Sequence, residues 1–140
     1  MADSSRRVRI IAELEREIAS SRFHSLALVQ LGGLALALGD LGGAGARLQA
    51  ALAVDPHVPR AHERLGWVAL ASSDPRAALR EFAAERRLSG PFRRYDLGRG
   101  RAWQALGDPM RARRAYEREL RANPASAEAR DSLASLTRNQ

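Results

Sequence analysis

The sequence predicts an all-α chain built from one helix–turn–helix hairpin repeated, and three observations lead there. First, five kinds of residue recur at an offset of 34: Gly32, Gly66 and Gly100; Asp40, Asp74 and Asp108; Ala44, Ala78 and Ala112; the bulky series Leu48, Phe82 and Tyr116; and the helix breakers Pro56, Gly90 and Pro124. A fixed period of this length is the signature of a stacked repeat rather than of a single irregular core. Second, "LGD" at 38–40 returns as "LGDP" at 106–109, with "SSDP" at 72–75 midway. Third, apolar residues near the start, Val8, Ile11, Leu14 and Ile18, fall at helical spacing.

Taken in chain order, the first element is a helix through 8–18, with Asp3, Ser4 or Ser5 available to cap its start and Ser20-Ser21 to break it. Terminal units of a repeat stack are atypical, so 1–24 either covers the open end as a decayed half-repeat or serves as a dimerisation helix. The three units that follow each read as helix A, turn, helix B. In the third, Gly107 can take the left-handed conformation that ends helix A, Asp108 caps helix B, and Pro109 occupies its first position, where a missing N–H costs nothing. Asp74-Pro75 repeats this in the second unit.

Gly32, Gly66 and Gly100 on the A helices permit close approach of the B helices at Ala44, Ala78 and Ala112. Leu48, Phe82 and Tyr116, one turn further on, then fill the interior, each contributing roughly 1.5–3 kcal/mol on full burial. A lone hairpin leaves one apolar face open, so neighbours must stack on it. Gly42, Gly43 and Gly45 lie together in the first B helix at about 1 kcal/mol each against Ala, which makes the first unit the expected soft end.

This pattern of small, small, aromatic and proline columns resembles the tetratricopeptide repeat (TPR). The resemblance covers 25–58, 59–92 and 93–126, with 127–140 similar to the first helix of a fourth unit acting as a cap. It is closest in the B helices. In the A helices the family's early aromatic is replaced by Leu28, His62 and Asp96, and the leucine before the glycine by Arg99 in the third unit, while Trp103 stands where the family has Tyr. The resemblance implies a right-handed superhelical α-solenoid whose concave face, lined by the A helices, takes an extended peptide or a partner helix.

On that reading the lining comprises Leu26, Val29, Gly33 and Leu36 from the first unit. The second supplies Arg60, Glu63, Arg64, Trp67 and Leu70, and the third Arg94, Leu97, Arg101 and Gln104. Trp67 beside arginines is hot-spot chemistry, although it can equally be core. Arg60, Arg64, Arg94 and Arg101 suit bidentate grip on carboxylates, so the expected partner is another protein or peptide carrying acidic and apolar residues. The chaperone-tail carboxylate clamp of one subfamily corresponds to Val29, Gly33, Arg64, Arg94 and Gly98. Only Arg94 keeps its chemistry, so that function is not carried over.

Charge and composition narrow the classes further. The net charge of +7 resides in 86–114, where nine arginines face Asp96 and Asp108, and the rest is neutral. Such a field favours acidic partners or merely solvates a surface. Nucleic-acid binding is disfavoured, since the segment lacks a groove-reading motif and exposed aromatics for stacking. His24, His57 and His62 lack metal-pair spacing, "GDLGGAGAR" lacks the lysine of a phosphate loop, and no nucleophile motif, Cys or Lys is present. The expectation is a non-enzyme with no cofactor and no metal. All basic residues are Arg beside heavy Ala and Gly usage, which suggests a GC-rich bacterial genome. There is no apolar run near 18 residues, and charges interrupt the apolar stretch at the start, so the expected location is cytoplasmic.

Overall fold

A computed structural model describes residues 2–18, 24–90 and 95–138, which form eight helices and no strand among the described residues. In order these are α1 (Ala2–Ile18), α2 (His24–Ala37), α3 (Leu41–Val54), α4 (Ala61–Ala71), α5 (Pro75–Ser89), α6 (Tyr95–Ala105), α7 (Pro109–Ala122) and α8 (Ala127–Arg138). The chain divides into two compact units, Met1–Arg64 and Leu65–Gln140, with the boundary inside α4.

Each A-to-B turn is built the same way. The backbone N–H groups of Gly39 and Asp40 donate to the carbonyls of Leu36 and Ala35, those of Ser73 and Asp74 to Leu70 and Ala69, and those of Gly107 and Asp108 to Gln104 and Trp103. These crossed bonds satisfy the last carbonyls of the helix and require a left-handed residue at the stop. Gly39 and Gly107 supply it at φ +79° and +76°, whereas the second turn places Ser73 there at φ 61°. A side chain in that conformation costs roughly 1–2 kcal/mol. The same aspartates then start the next helix: the Oδ1 atoms of Asp40, Asp74 and Asp108 accept from the N–H groups of Gly43, Ala77 and Arg111 at 2.8, 2.9 and 2.9 Å.

In the first unit, α2 packs on α3 and α1 on α2. Leu31, Ala35, Ala44, Leu48 and Ala51 are buried there, and Leu48 fills the space over Gly32, where an added Cβ would lie 2.6 Å from Leu48 Cγ. Arg47 on α3 joins α1 through Glu15 at 3.1 Å. Ile11 and Leu14 are half-buried, but Val8 is 64% exposed, so the apolar face of α1 is only partly covered. The side chain of Ile18 and the Ser20-Ser21 break lie outside the described residues. The expected cap at Ser4 or Ser5 does not form, because α1 is already helical at Ala2.

In the second unit, α6 packs on both α5 and α7, and α7 on α8. Two apolar clusters hold it together. Ala78, Phe82, Tyr95 and Ala102 form one, and Leu97, Ala112, Tyr116, Ala129 and Leu136 the other, with Trp67 packed against both. Tyr116 lies on Gly100 as Phe82 lies on Gly66, with hypothetical Cβ contacts of 2.3 and 2.6 Å. The glycines on the A helices therefore make room for the bulky B-helix side chain itself. Asp96 and Arg99, both unusual for their columns, pair with one another at 3.3 Å, and Arg118 of α7 approaches the same carboxylate at 3.5 Å. Burial holds the Arg99 pKa below its ordinary value, with Asp96 opposing the shift. The charged substitutions in α6 are thus accommodated as a set.

Candidate functional site

The first unit contributes Arg64, at its very end on α4. Its Nη1 donates to the carbonyl of Val29 and its Nη2 to Gln30 Oε1 at 3.3 Å. Gly33 makes this possible: a Cβ there would sit 2.4 Å from Nη1, so the guanidinium lies where a side chain would otherwise be. Burial, followed by the neighbouring Arg60 charge, lowers the Arg64 pKa. Arg64 therefore fastens α4 to the backbone of α2, which uses donors that a bound carboxylate would need. Arg60 stands before α4 rather than on it, at φ 70°, and its Nε meets Glu63 Oε2 at 3.2 Å. Leu26 is exposed and Leu36 half-buried.

The second unit brings α4, α6 and α8 together at one cation. Trp67 of α4 packs edge-on against Phe82, with ring centroids 5.5 Å apart and planes at 77°. Arg101 of α6 lies over the Trp67 ring, Cζ to centroid 5.5 Å, and its Nη2 meets Glu128 Oε2 of α8 at 3.2 Å. One part of the indole is therefore core, and another part carries a guanidinium of the same unit. Arg101 and Glu128 remain accessible, at 44% and 57% side-chain exposure. Gln104, one turn beyond Arg101, is exposed and accepts the hydroxyl proton of Tyr116 at 2.8 Å. Leu70 is half-buried against the Phe82 cluster. Burial raises the Tyr116 pKa above its usual 10.0, and Tyr95 shifts in the same direction for the same reason.

Three residues expected to face a partner are buried, Glu63 at 8% exposure and two apolar ones. Val29 is 3% and Leu97 2% exposed, and Leu97 belongs to the cluster with Tyr116 and Leu136. Both are apolar positions on A helices whose burial depends on neighbouring elements, a quantity that helical periodicity does not contain. Arg94 lies outside the described residues. Of the positions that would match the carboxylate clamp, Val29 is buried, Gly33 is covered by Arg64, and Gly98 is pressed against Phe82. Glu128 was not anticipated. It stands 34 residues after Arg94, so the repeat spacing already placed it in a column taken to line the groove.

The arginine-rich segment is not a uniform positive face. Arg99 and Arg111 pair with Asp96 and Asp108, Arg101 reaches Glu128, and Arg111 Cζ stacks 4.6 Å from the Trp103 centroid. Arg86, Arg87 and Arg114 are exposed, and Arg93 lies outside the described residues. Among the described residues no group of three His, Asp or Glu is placed to hold a metal ion, and no helix is long and apolar enough to cross a membrane.

No family model matches the chain, and no curated protein matches it. Solved structures do. A MamA fragment, 41 to the end, from Desulfovibrio magneticus RS-1 aligns with 95% of this chain and 75% of its own at TM-score 0.83 and 18% identity. The first TPR of Spaghetti (RPAP3), solved with the HSP90 peptide SRMEEVD, aligns with 82% of this chain and 91% of its own at 0.77 and 21%. The second TPR domain of human RPAP3, solved with the HSP70 peptide SGPTIEEVD, aligns with 81% of this chain and 98% of its own at 0.71 and 17%. At these identities the likeness establishes the fold, and that fold is the tetratricopeptide repeat.

Proposed function

We propose that this TPR-fold chain is a non-catalytic interaction scaffold that binds a partner peptide or helix bearing acidic and apolar residues. The units run 25–58, 59–92 and 93–126, with α1 and α8 as terminal caps, and the contact surface includes α4, α6 and α8 of the second compact unit. The observation that carries this is the Arg101 guanidinium, accessible and held between the Trp67 indole and the Glu128 carboxylate. A guanidinium oriented by an aromatic face presents its remaining N–H donors for carboxylate recognition, and the indole edge offers apolar area beside it. Two of the aligned TPR domains were solved with peptides ending in Glu-Glu-Val-Asp, which supports peptide binding by this fold and is compatible with an acidic partner. The carboxylate would be met by Arg101, since among the described clamp positions Val29 is buried, Gly33 is covered by Arg64, Arg64 is bonded to the Val29 carbonyl, and Gly98 is pressed against Phe82.

Selection of a random dodecapeptide library on the immobilised chain tests this. Enriched sequences should combine Asp or Glu with apolar residues. Their affinity should fall about tenfold, or about 1.4 kcal/mol, in Arg101→Ala. Enrichment of basic peptides, or affinity unchanged by Arg101→Ala, would count against it. A second reading, self-association through α1, is favoured by the exposure of Val8 and Ile10 on that helix. A monomeric mass by light scattering at high concentration excludes it.

A further inference from the structure

Arg101 and Trp103 are two positions apart on α6 and so project to opposite sides of it, because successive helical residues turn by about 100°. The side away from Arg101 opens on a cleft of about 380 Å³ lined by Arg76, Leu79, Trp103, Leu106, Asp108 and Arg111. The first turns of α5 supply Arg76 and Leu79, the end of α6 Trp103 and Leu106, and the start of α7 Asp108 and Arg111.

The charges at this cleft do not cancel. Asp108 accepts the Arg111 backbone N–H with one oxygen and faces the Arg111 Nε at 3.5 Å with the other, while the Arg111 guanidinium lies 4.6 Å over the Trp103 ring. Asp108 and Arg111 thus answer one another. Arg76 remains exposed, with no hydrogen bond or ion pair among the described residues. The lining therefore offers an apolar floor of indole and two leucines, and one cation in surplus.

The cleft is also made where the chain departs from its own repeat. One and two periods before Trp103 stand Ala69 and Ala35, before Arg111 stand Ala77 and Gly43, and one period before Arg76 stands Gly42. The hairpins of those units form without large side chains at these positions, so the turn and the helix pairing do not require them. A recess of a few hundred cubic ångströms with an apolar lining and a few convergent polar groups is the usual form of a small-ligand site.

We propose that this cleft binds a carboxylate with an apolar body of amino-acid size. Arg76 takes the carboxylate, and Trp103, Leu79 and Leu106 cover the apolar group. This goes beyond the scaffold reading and shares none of its contact residues.

The test is an NMR titration of the full chain, following the two indole N–H signals of Trp67 and Trp103 with N-acetyl-phenylalanine, N-acetyl-phenylalanine amide and the tripeptide Gly-Gly-Phe as probes. The expected result is a saturable shift at Trp103 with N-acetyl-phenylalanine, at least about tenfold weaker with the amide and in Arg76→Ala, and no shift at Trp67. Tighter binding of Gly-Gly-Phe assigns the cleft to a peptide terminus, and equal binding assigns it to the free acid. The proposal is overturned by a shift at Trp67 alone, by equal response to acid and amide, or by full retention in Arg76→Ala. Because Arg76 is exposed and makes no contact of this kind, its removal leaves the fold in place. Loss of binding here leaves the peptide reading at Arg101 standing, and failure of that reading leaves this one standing.

Discussion

Phe82 sits between two glycines. Its ring is fully buried, with hypothetical Cβ positions of Gly66 and Gly98 at 2.6 and 2.3 Å from it and the Trp67 ring centroid 5.5 Å from its own. A ring held on three sides cannot move aside for a methyl group, so Gly98→Ala should destabilise the protein by about 1–3 kcal/mol through overpacking. Urea denaturation reads this as a lower midpoint, and an unchanged midpoint would mean that the ring has room after all. The role of Gly66 was legible from its column, but that of Gly98 was not. Gly98 is not one of the glycines repeated at offset 34, and it is recognisable only when the ring of the preceding helix is seen against it. Arg64 and Gly33 are the same case: the sequence offered a cation for a partner, and the fold turns that cation onto a neighbouring backbone.

At the scale of one helix, α3 makes a sharper statement about its three glycines than the sequence could. A Cβ on Gly42 or Gly45 meets nothing within 4 Å, whereas one on Gly43 would lie 2.0 Å from Asp40 Oδ2, the carboxylate that caps the helix. Gly42→Ala and Gly45→Ala should each raise stability by about 0.4–1 kcal/mol by reducing the freedom of the unfolded chain. Gly43→Ala should gain less, because a Cβ there requires the Asp40 carboxylate to turn, although the cap itself survives, as it does at Asp74 and Asp108, where Ala77 and Arg111 hold the equivalent position. Thermal melts of the three variants check the ordering, and equal shifts in all three would contradict it. The turn logic of Asp40, Asp74 and Asp108 was readable beforehand because capping depends on residues three apart in the chain. The start of α1 was not, since a helix can begin without the capping side chain that its sequence offers.

For the molecule as a whole, the buried hydroxyls of Tyr95 and Tyr116 set a limit at alkaline pH. Burial raises both pKa values, so the folded state holds these protons more tightly than the unfolded state does. Stability from this source is complete below the unfolded value near 10.0 and is lost as pH rises through the higher folded value. Urea midpoints should therefore decline above that pH, and less steeply in Tyr116→Phe. A midpoint independent of pH in this range would show that the hydroxyls titrate freely. The +7 charge behaves differently from its appearance in the sequence, since Arg99, Arg101 and Arg111 are each engaged with a carboxylate.

What the sequence by itself determined was local and periodic: the all-α class, the three capped turns, and the bulky residues opposite small ones. Each depends on spacings of a few residues or on one fixed period, and such spacings are written directly in the chain. What only the tertiary structure decided was how side chains from different helices divide the space. It buried Val29 and Leu97, set Arg101 between Trp67 and Glu128, joined Asp96 to both Arg99 and Arg118, and opened the cleft beside Trp103. Burial and ion pairing are properties of pairs of elements, and no single helix carries the information that selects its neighbour's side chains.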